Sequence, residues 1–200
     1  MHNQNLNTPV ITFVAKSGSG KTTILEKVIT SLKIKGYKLA VIKHDAHRFD
    51  MDKPGKDTWR MSQAGADIVA ISSPEKVAVI EKVEEERTLD AVIASLSKVD
   101  IILTEGFKRS NKPKIEISRS DVDKELLCEP NELLAIASDI SWDVGVPCYH
   151  INDVDGVVSE VIKYVINFSK NIHKEIPIPV NKEIGGNKHA QSNHCIHQSA

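Results

Sequence analysis

Cysteine is scarce in this chain. Its three residues, Cys128, Cys148 and Cys195, lie far apart and without C-x-x-C spacing. An odd, sparse count argues against a disulfide framework and fits reduced thiols in the cytoplasm. No window holds the ~18 continuous apolar residues of a membrane span, and the polar start, MHNQNLNTP, does not read as a signal peptide. Excess charge of either sign is also missing: 26 basic residues face 27 acidic ones. Composition therefore gives no support for a nucleic-acid partner. What remains is 200 residues, enough for one domain with a sizeable core.

The most informative stretch is Val10 to Thr23, VITFVAKSGSGKTT. An apolar, β-branched run reads as a buried strand. A turn of small residues follows, then Lys21, Thr22 and a helical pattern. This is the strand, glycine loop, helix order of a phosphate-binding P-loop. Gly18 and Gly20 let backbone N–H groups of Ser17, Ser19 and their neighbours turn toward phosphate oxygens, and the helix aims its positive end at them. Lys21 would reach the β- and γ-phosphates and act on the reacting group. Thr22 would ligate Mg²⁺, with Thr23 beside it. Ala15 stands where the usual pattern has its first glycine, so the reading requires ordinary backbone angles there.

The remaining pattern alternates strands with helices. Strands are expected at Val10 to Val14, Leu39 to Ile42, Ile68 to Ile71, Lys76 to Val83, Asp100 to Thr104, Lys114 to Ile117, Leu133 to Ala137 and Pro147 to Ile151. Helices are expected from Thr22 to Lys35, stopped by Gly36, from an Asp57 cap to Gln63, from Thr88 to Ser97, and from a cap at Asn152 or Asp153 onward. The fold class is α/β, a mainly parallel sheet with helices on both faces. The third and fourth strands form a small antiparallel hairpin. Residues 1–8 read as a flexible N-terminus, 9–168 as the nucleotide-binding domain and 169–200 as a polar, disordered tail.

Ligands in such sheets sit beyond the carboxyl ends of strands. That rule selects the glycine loop, Lys43-His44-Asp45, Glu105-Gly106 and Ser138-Asp139. Glu105 is the carboxylate partner for Thr22 on Mg²⁺, and Gly106 leaves room for phosphate. Asp100 begins the same strand and falls at the opposite end, where it caps. Asp45 is a second carboxylate, able to reach the metal through water or to orient an attacking water. Lys16 occupies the place of a second phosphate-contacting lysine found in P-loop proteins of the ParA/MinD type; a solvated lysine is the alternative. Asp139 could accept the N1–H and N2–H donors of guanine, or Ser138-Asp139 could be a simple turn. His44, Asp45, His47 and Asp50 resemble a loose metal cluster but lack the fixed spacing of a zinc site. In the tail, His189, His194, Cys195 and His197 could hold a metal, and a disordered tail is the favoured alternative. Lys53, Lys56 and Arg60 suit a phosphate-bearing ligand. Arg48 and Arg60 are the candidates for an arginine finger.

Taken together, AKSGSGKTTILE, KHDAHRFDMDKPGKDTWR, QAGAD, SSP, TEGFK and PKIE strongly resemble the MobB family, the molybdopterin-guanine dinucleotide biosynthesis protein B group. It belongs to the SIMIBI type of P-loop NTPases. The resemblance covers Val10 to Phe168. It implies a homodimeric GTP-binding protein with weak GTPase activity. Such a protein assists a MobA-type guanylyltransferase and has molybdopterin or molybdoenzymes as further contacts. By matching position it places phosphates at Lys16 to Thr23 and Mg²⁺ at Thr22 and Glu105, with Asp45 near. It also marks Gly55, Lys56, Asp57, Thr58 and Arg60 as a second block. The alternative is a P-loop small-molecule kinase or ligase resembling dethiobiotin synthetase.

Overall fold

A computed structural model describes residues 7–45, 49–122 and 125–175. Its centre is β1 (Val10–Ala15), all six residues of which are buried. A strand with no polar face outward needs neighbours on both edges and both sides. It pairs in parallel with β5 (Ile101–Glu105) and β6 (Lys114–Ser118). Beyond β5 lies β2 (Leu39–Lys43); beyond β6 lie β7 (Leu133–Ser138) and β8 (Cys148–His150). The sheet order is β2-β5-β1-β6-β7-β8, with every pairing parallel.

The period-2 alternation of these strands makes two cores. Ile11, Phe13 and Ala15, together with Leu103, Ile115 and Ala135 on the other strands, face α1 (Lys21–Ile34) and α4 (Val154–Glu175). Helix α1 contributes Ile24, Leu25, Val28 and Leu32, and α4 contributes Val157, Val158, Val161 and Val165. On the other face, Val10, Ile42 and Ile102 meet Leu89 and Ile93 of α3 (Leu89–Ser95). Val14, Leu133 and Ile136 are covered there by Cys128, Trp142 and Val146 from irregular chain. Cys128 and Cys148 are both free thiols, and burial pushes the Cys128 thiol up to about 12.

Local signals account for the boundaries. Gly36 takes φ 89, and the N–H groups of Gly36 and Tyr37 return to the carbonyls of Lys33 and Leu32. That pair of bonds closes α1. Thr88 caps α3 by accepting the Ala91 N–H. The short helix α2 (Asp57–Gln63) departs in one detail: Lys56 is its N-cap and Asp57 is the first helical residue. Asp57 there still complements the helix dipole. Helix α4 runs to Glu175, beyond the boundary that the apolar pattern places at 168. Lys170, Lys174 and Glu175 are good helix formers, and no breaker occurs before Pro177. The tail residues 176–200, with their histidines and Cys195, lie outside the described residues.

Strands β3 (Ile68–Ser72) and β4 (Val77–Glu81) form the expected antiparallel hairpin, separate from the main sheet. Among the described residues no helix is long and apolar enough to cross a membrane.

One close approach tests the packing of α4. A methyl group on Gly156 would stand 2.2 Å from Cδ1 of Tyr149 and 2.6 Å from Oδ2 of Asp153. The Tyr149 hydroxyl donates to Glu160 at 2.6 Å, so its ring is tethered. Gly156→Ala is expected to cost about 1–3 kcal/mol in urea unfolding. An unchanged unfolding midpoint would show that the ring yields freely.

Candidate functional site

The carboxyl ends of β1, β2 and β5 converge on the loop between β1 and α1. Ala15 ends β1 and is paired with Ile117, so it needs no positive φ. Gly18 and Gly20 carry the unusual angles instead, at φ 87 and 80. Gly20 is the N-cap of α1, and no side chain caps that helix. Its first-turn N–H groups are therefore directed into the loop, where an anion can satisfy them.

Register brings Glu105 beside this loop: Phe13 pairs with Glu105, and Lys43 pairs with Glu105 from the other side. Oε1 of Glu105 accepts from the Thr22 hydroxyl at 3.2 Å and lies 3.1 Å from Lys21 Nζ. The carboxylate is buried and the lysine partly so. One carboxylate and one hydroxyl beside the glycine loop are hard oxygen donors of the kind Mg²⁺ takes. The donor set fits that ion. No cluster of three or more metal-ligating side chains occurs among the described residues.

The β2 end is latched to this centre. The His44 N–H donates to the Glu105 carbonyl at 2.8 Å. Gly106, at φ 92, lets His44 approach: a methyl there would lie 3.0 Å from His44 Cβ and 3.2 Å from its carbonyl oxygen. The His44 ring stacks on Phe107 at 4.6 Å and meets Glu86 at 2.6 Å. Asp45 follows, exposed, on the same edge of the sheet. Asp100 is at the far end, accepting the Lys38 N–H at 2.7 Å, as expected of a cap.

On the other side of β1, Asp139 follows β7. Its two oxygens accept the Ser120 N–H at 2.8 Å and the Ser120 hydroxyl at 3.2 Å. The Ser120 amide holds the Asp139 carboxyl below the usual carboxylate range. Between Asp139 and the loop lies Arg119. Its Nε donates to the Ser19 carbonyl at 3.2 Å, and its guanidinium lies 3.4 Å from where a Gly20 methyl would be. A cleft of about 1000 Å³ opens beside Lys16, Ser17 and Lys21. Lys53, Lys56 and Arg60 are exposed and do not line it. His47 and Arg48 lie outside the described residues.

A sequence model described as "MobB: Molybdopterin guanine dinucleotide synthesis protein B" matches residues 10–139. The chain belongs to this family. It is 36% identical over 163 residues to the molybdopterin-guanine dinucleotide biosynthesis adapter protein of Escherichia coli (strain K12), covering 78% of this chain and 93% of that one. To the protein of the same name from Haemophilus influenzae it is 32% identical, covering 82% and 93%. The crystal structure of Bacillus subtilis MobB superposes with a TM-score of 0.62 at 27% identity, over 76% of this chain and 97% of that one. The mainly parallel sheet and separate hairpin are thus a fold in the company of solved family structures.

Sequence reasoning found Lys21, Thr22 and Glu105 together but missed three contacts. Arg119 reaches a loop 100 residues earlier, and His44 reaches Glu86 across 42. Lys114 is the third. It is 1% exposed, and its Nζ donates to the Ser110 carbonyl at 2.9 Å and to Glu132. A lysine at a core position of a buried strand is the only signal that could have exposed it.

The Lys114 ammonium holds the Glu132 carboxyl below its ordinary value of 4.5. The stabilisation is therefore complete above pH 4.5 and is lost as pH falls through the lower folded value. Glu132→Gln should cost about 1–2 kcal/mol at neutral pH, since Lys114 keeps a polar partner. It should also flatten the fall of the thermal midpoint as pH drops below about 4.5. An acid limb as steep as that of the parent protein would remove the pair as its cause.

Proposed function

We propose that this protein binds GTP–Mg²⁺ at the β1–α1 loop and serves as an adapter in molybdopterin guanine dinucleotide formation, assisting a MobA-type guanylyltransferase. The observation that carries the reading is the shared Glu105 carboxylate, which joins Lys21 and Thr22 at the N-terminus of an uncapped helix. Lys16 to Thr23 form the P-loop in this reading, and the loop N–H groups cradle the phosphates. Glu105 and Thr22 would hold a Mg²⁺ ion, which supplies charge neutralisation at the β- and γ-phosphates. Asp45 would reach that ion through water. Arg119 and Asp139 lie toward the base end, where Asp139 accepts the guanine N–H donors. Hydrolysis is slow in this reading, with Lys21 stabilising charge and Asp45 orienting water. The names of the relatives, adapter proteins, support partnership as the role more than turnover.

Titration calorimetry tests the site directly. GTP–Mg²⁺ should bind about tenfold or more tightly than ATP–Mg²⁺, and Lys21→Ala should weaken it by at least about tenfold. Glu105→Gln should weaken binding in Mg²⁺ more than binding in EDTA. Equal affinity for both bases, or an unaffected Lys21→Ala, would sink the GTP reading.

Self-association belongs to the same proposal. The hairpin exposes apolar side chains on both faces: Ile68, Ile71, Val77 and Val79 are each 57–66% exposed. An isolated two-stranded sheet is marginal in water, and a patch of this kind marks an interface. A second copy, applying the same hairpin across a twofold axis, would cover it. Val79→Asp should convert a dimer to a monomer in light scattering. A parent protein that is already monomeric at micromolar concentration would refute this arrangement.

A further inference from the structure

The nucleotide path leaves a large cleft unused. In the function proposed above, that path leads from the glycine loop past Arg119 to Asp139, along the ends of β1, β6 and β7. The cleft of about 1000 Å³ lies on the opposite side of β1, over the ends of β5 and β2. It shares Lys16, Ser17 and Lys21 with the loop, whereas Ser19, Gly20, Arg119 and Asp139 take no part in it. Its size is at the upper end for small-molecule pockets and far beyond what a terminal phosphate fills.

The cleft walls are tied in place. Buried Lys114 holds the Ser110 carbonyl of the 106–112 loop from below. Lys112 pairs with Asp90 across the mouth at 2.9 Å, and His44 pairs with Glu86. Phe107 is held at φ 48, the only non-glycine residue in the left-handed region among the described residues. Its ring and Leu89 give the cleft an apolar surface.

The charge balance is one-sided. Six basic side chains line the cleft (Lys16, Lys21, Arg87, Lys108, Arg109 and Lys112) against two carboxylates, Glu86 and Asp90. Lys21, Arg87 and Lys112 already have carboxylate partners. Lys108 and Arg109 are exposed, and neither makes an ion pair or side-chain hydrogen bond among the described residues.

We propose that this cleft is a second ligand site for a small molecule carrying a terminal phosphomonoester on an apolar body, bound beside the nucleotide and not in its place. A phosphomonoester dianion offers several strong acceptors to Lys108 and the planar fork of Arg109. The apolar body lies against Phe107 and Leu89. The inference rests on the nucleotide reading for the path that leaves the cleft unfilled and for the neighbouring terminal phosphate; the charge and lining of the cleft stand without it.

Phenyl phosphate is a suitable probe, titrated by calorimetry into the full chain. It is added alone and with the protein saturated by a non-hydrolysable GTP analogue and Mg²⁺. Binding at millimolar concentration or below is expected in both cases, tighter than that of inorganic phosphate. Lys108→Ala/Arg109→Ala should weaken phenyl phosphate by about tenfold or more while changing GTP affinity by no more than about twofold. Competition between phenyl phosphate and the GTP analogue would overturn the proposal, because it would reduce both to one phosphate site. So would equal phenyl phosphate affinity in parent and variant, or no binding at all. Inorganic phosphate binding as tightly as phenyl phosphate would overturn the apolar body. If GTP fails to bind but phenyl phosphate binds in a Lys108- and Arg109-dependent way, the nucleotide reading falls and the second site stands.

Discussion

The contact between Glu105 and the pair Lys21 and Thr22 depends on the register of three parallel strands. Glu105 is level with Phe13 on one side and Lys43 on the other. A slip of one residue would turn every side chain of β5 to the opposite face. Leu103 and Ile101 would then leave the core beneath α1 and α4. The same burial that fixes the sheet therefore fixes the carboxylate against the loop. Below Glu105, Thr104 donates to Thr12 at 3.0 Å, so even the polar pair inside this part of the sheet is satisfied. The site geometry is a consequence of core packing, not an addition to it.

Much of the fold was legible because its strands are short apolar runs separated by turn residues. Val10 to Val14 and Ile101 to Leu103 could hardly be anything other than buried strands. The glycine loop was legible for a related reason: backbone angles of φ 87 and 80 demand glycine, and glycine stands at both positions. Glu105 could be placed because it directly follows such a strand. The limit came with contacts between distant side chains. Arg119 on the Ser19 carbonyl, and Glu86 on His44, join segments whose local patterns contain no hint of each other. The extent of α4 was missed for a different reason. Apolar periodicity shows where a helix meets the core, and the last turns of α4 are held by propensity and the absence of a breaker.

Charge placement separates two functions of the basic residues. Lys114 is buried and fully engaged with Glu132 and Ser110, so its charge is neutralised by structure. With Glu132 partly exposed to solvent, the pair adds only modest net stability. Its effect is geometric: it fixes a loop carbonyl, and with it the 106–112 segment. Lys108 and Arg109, carried by that segment, remain exposed. The protein thus uses one lysine for positioning and leaves its neighbours to face solvent around a cleft.

The two edges of β1 give that cleft its meaning. Arg119 and Asp139 belong to the β6 and β7 side, and His44, Phe107 and the basic loop belong to the β5 and β2 side. Lys16 and Lys21 stand between them, on the loop common to both. An anion held at that loop would be flanked by a polar strand-end on one side and a basic, partly apolar cleft on the other. The His44 N–H bonds the Glu105 carbonyl, its backbone packs on Gly106, and its ring contacts Phe107 in the cleft, so the β2 and β5 ends are in direct contact beside the cleft.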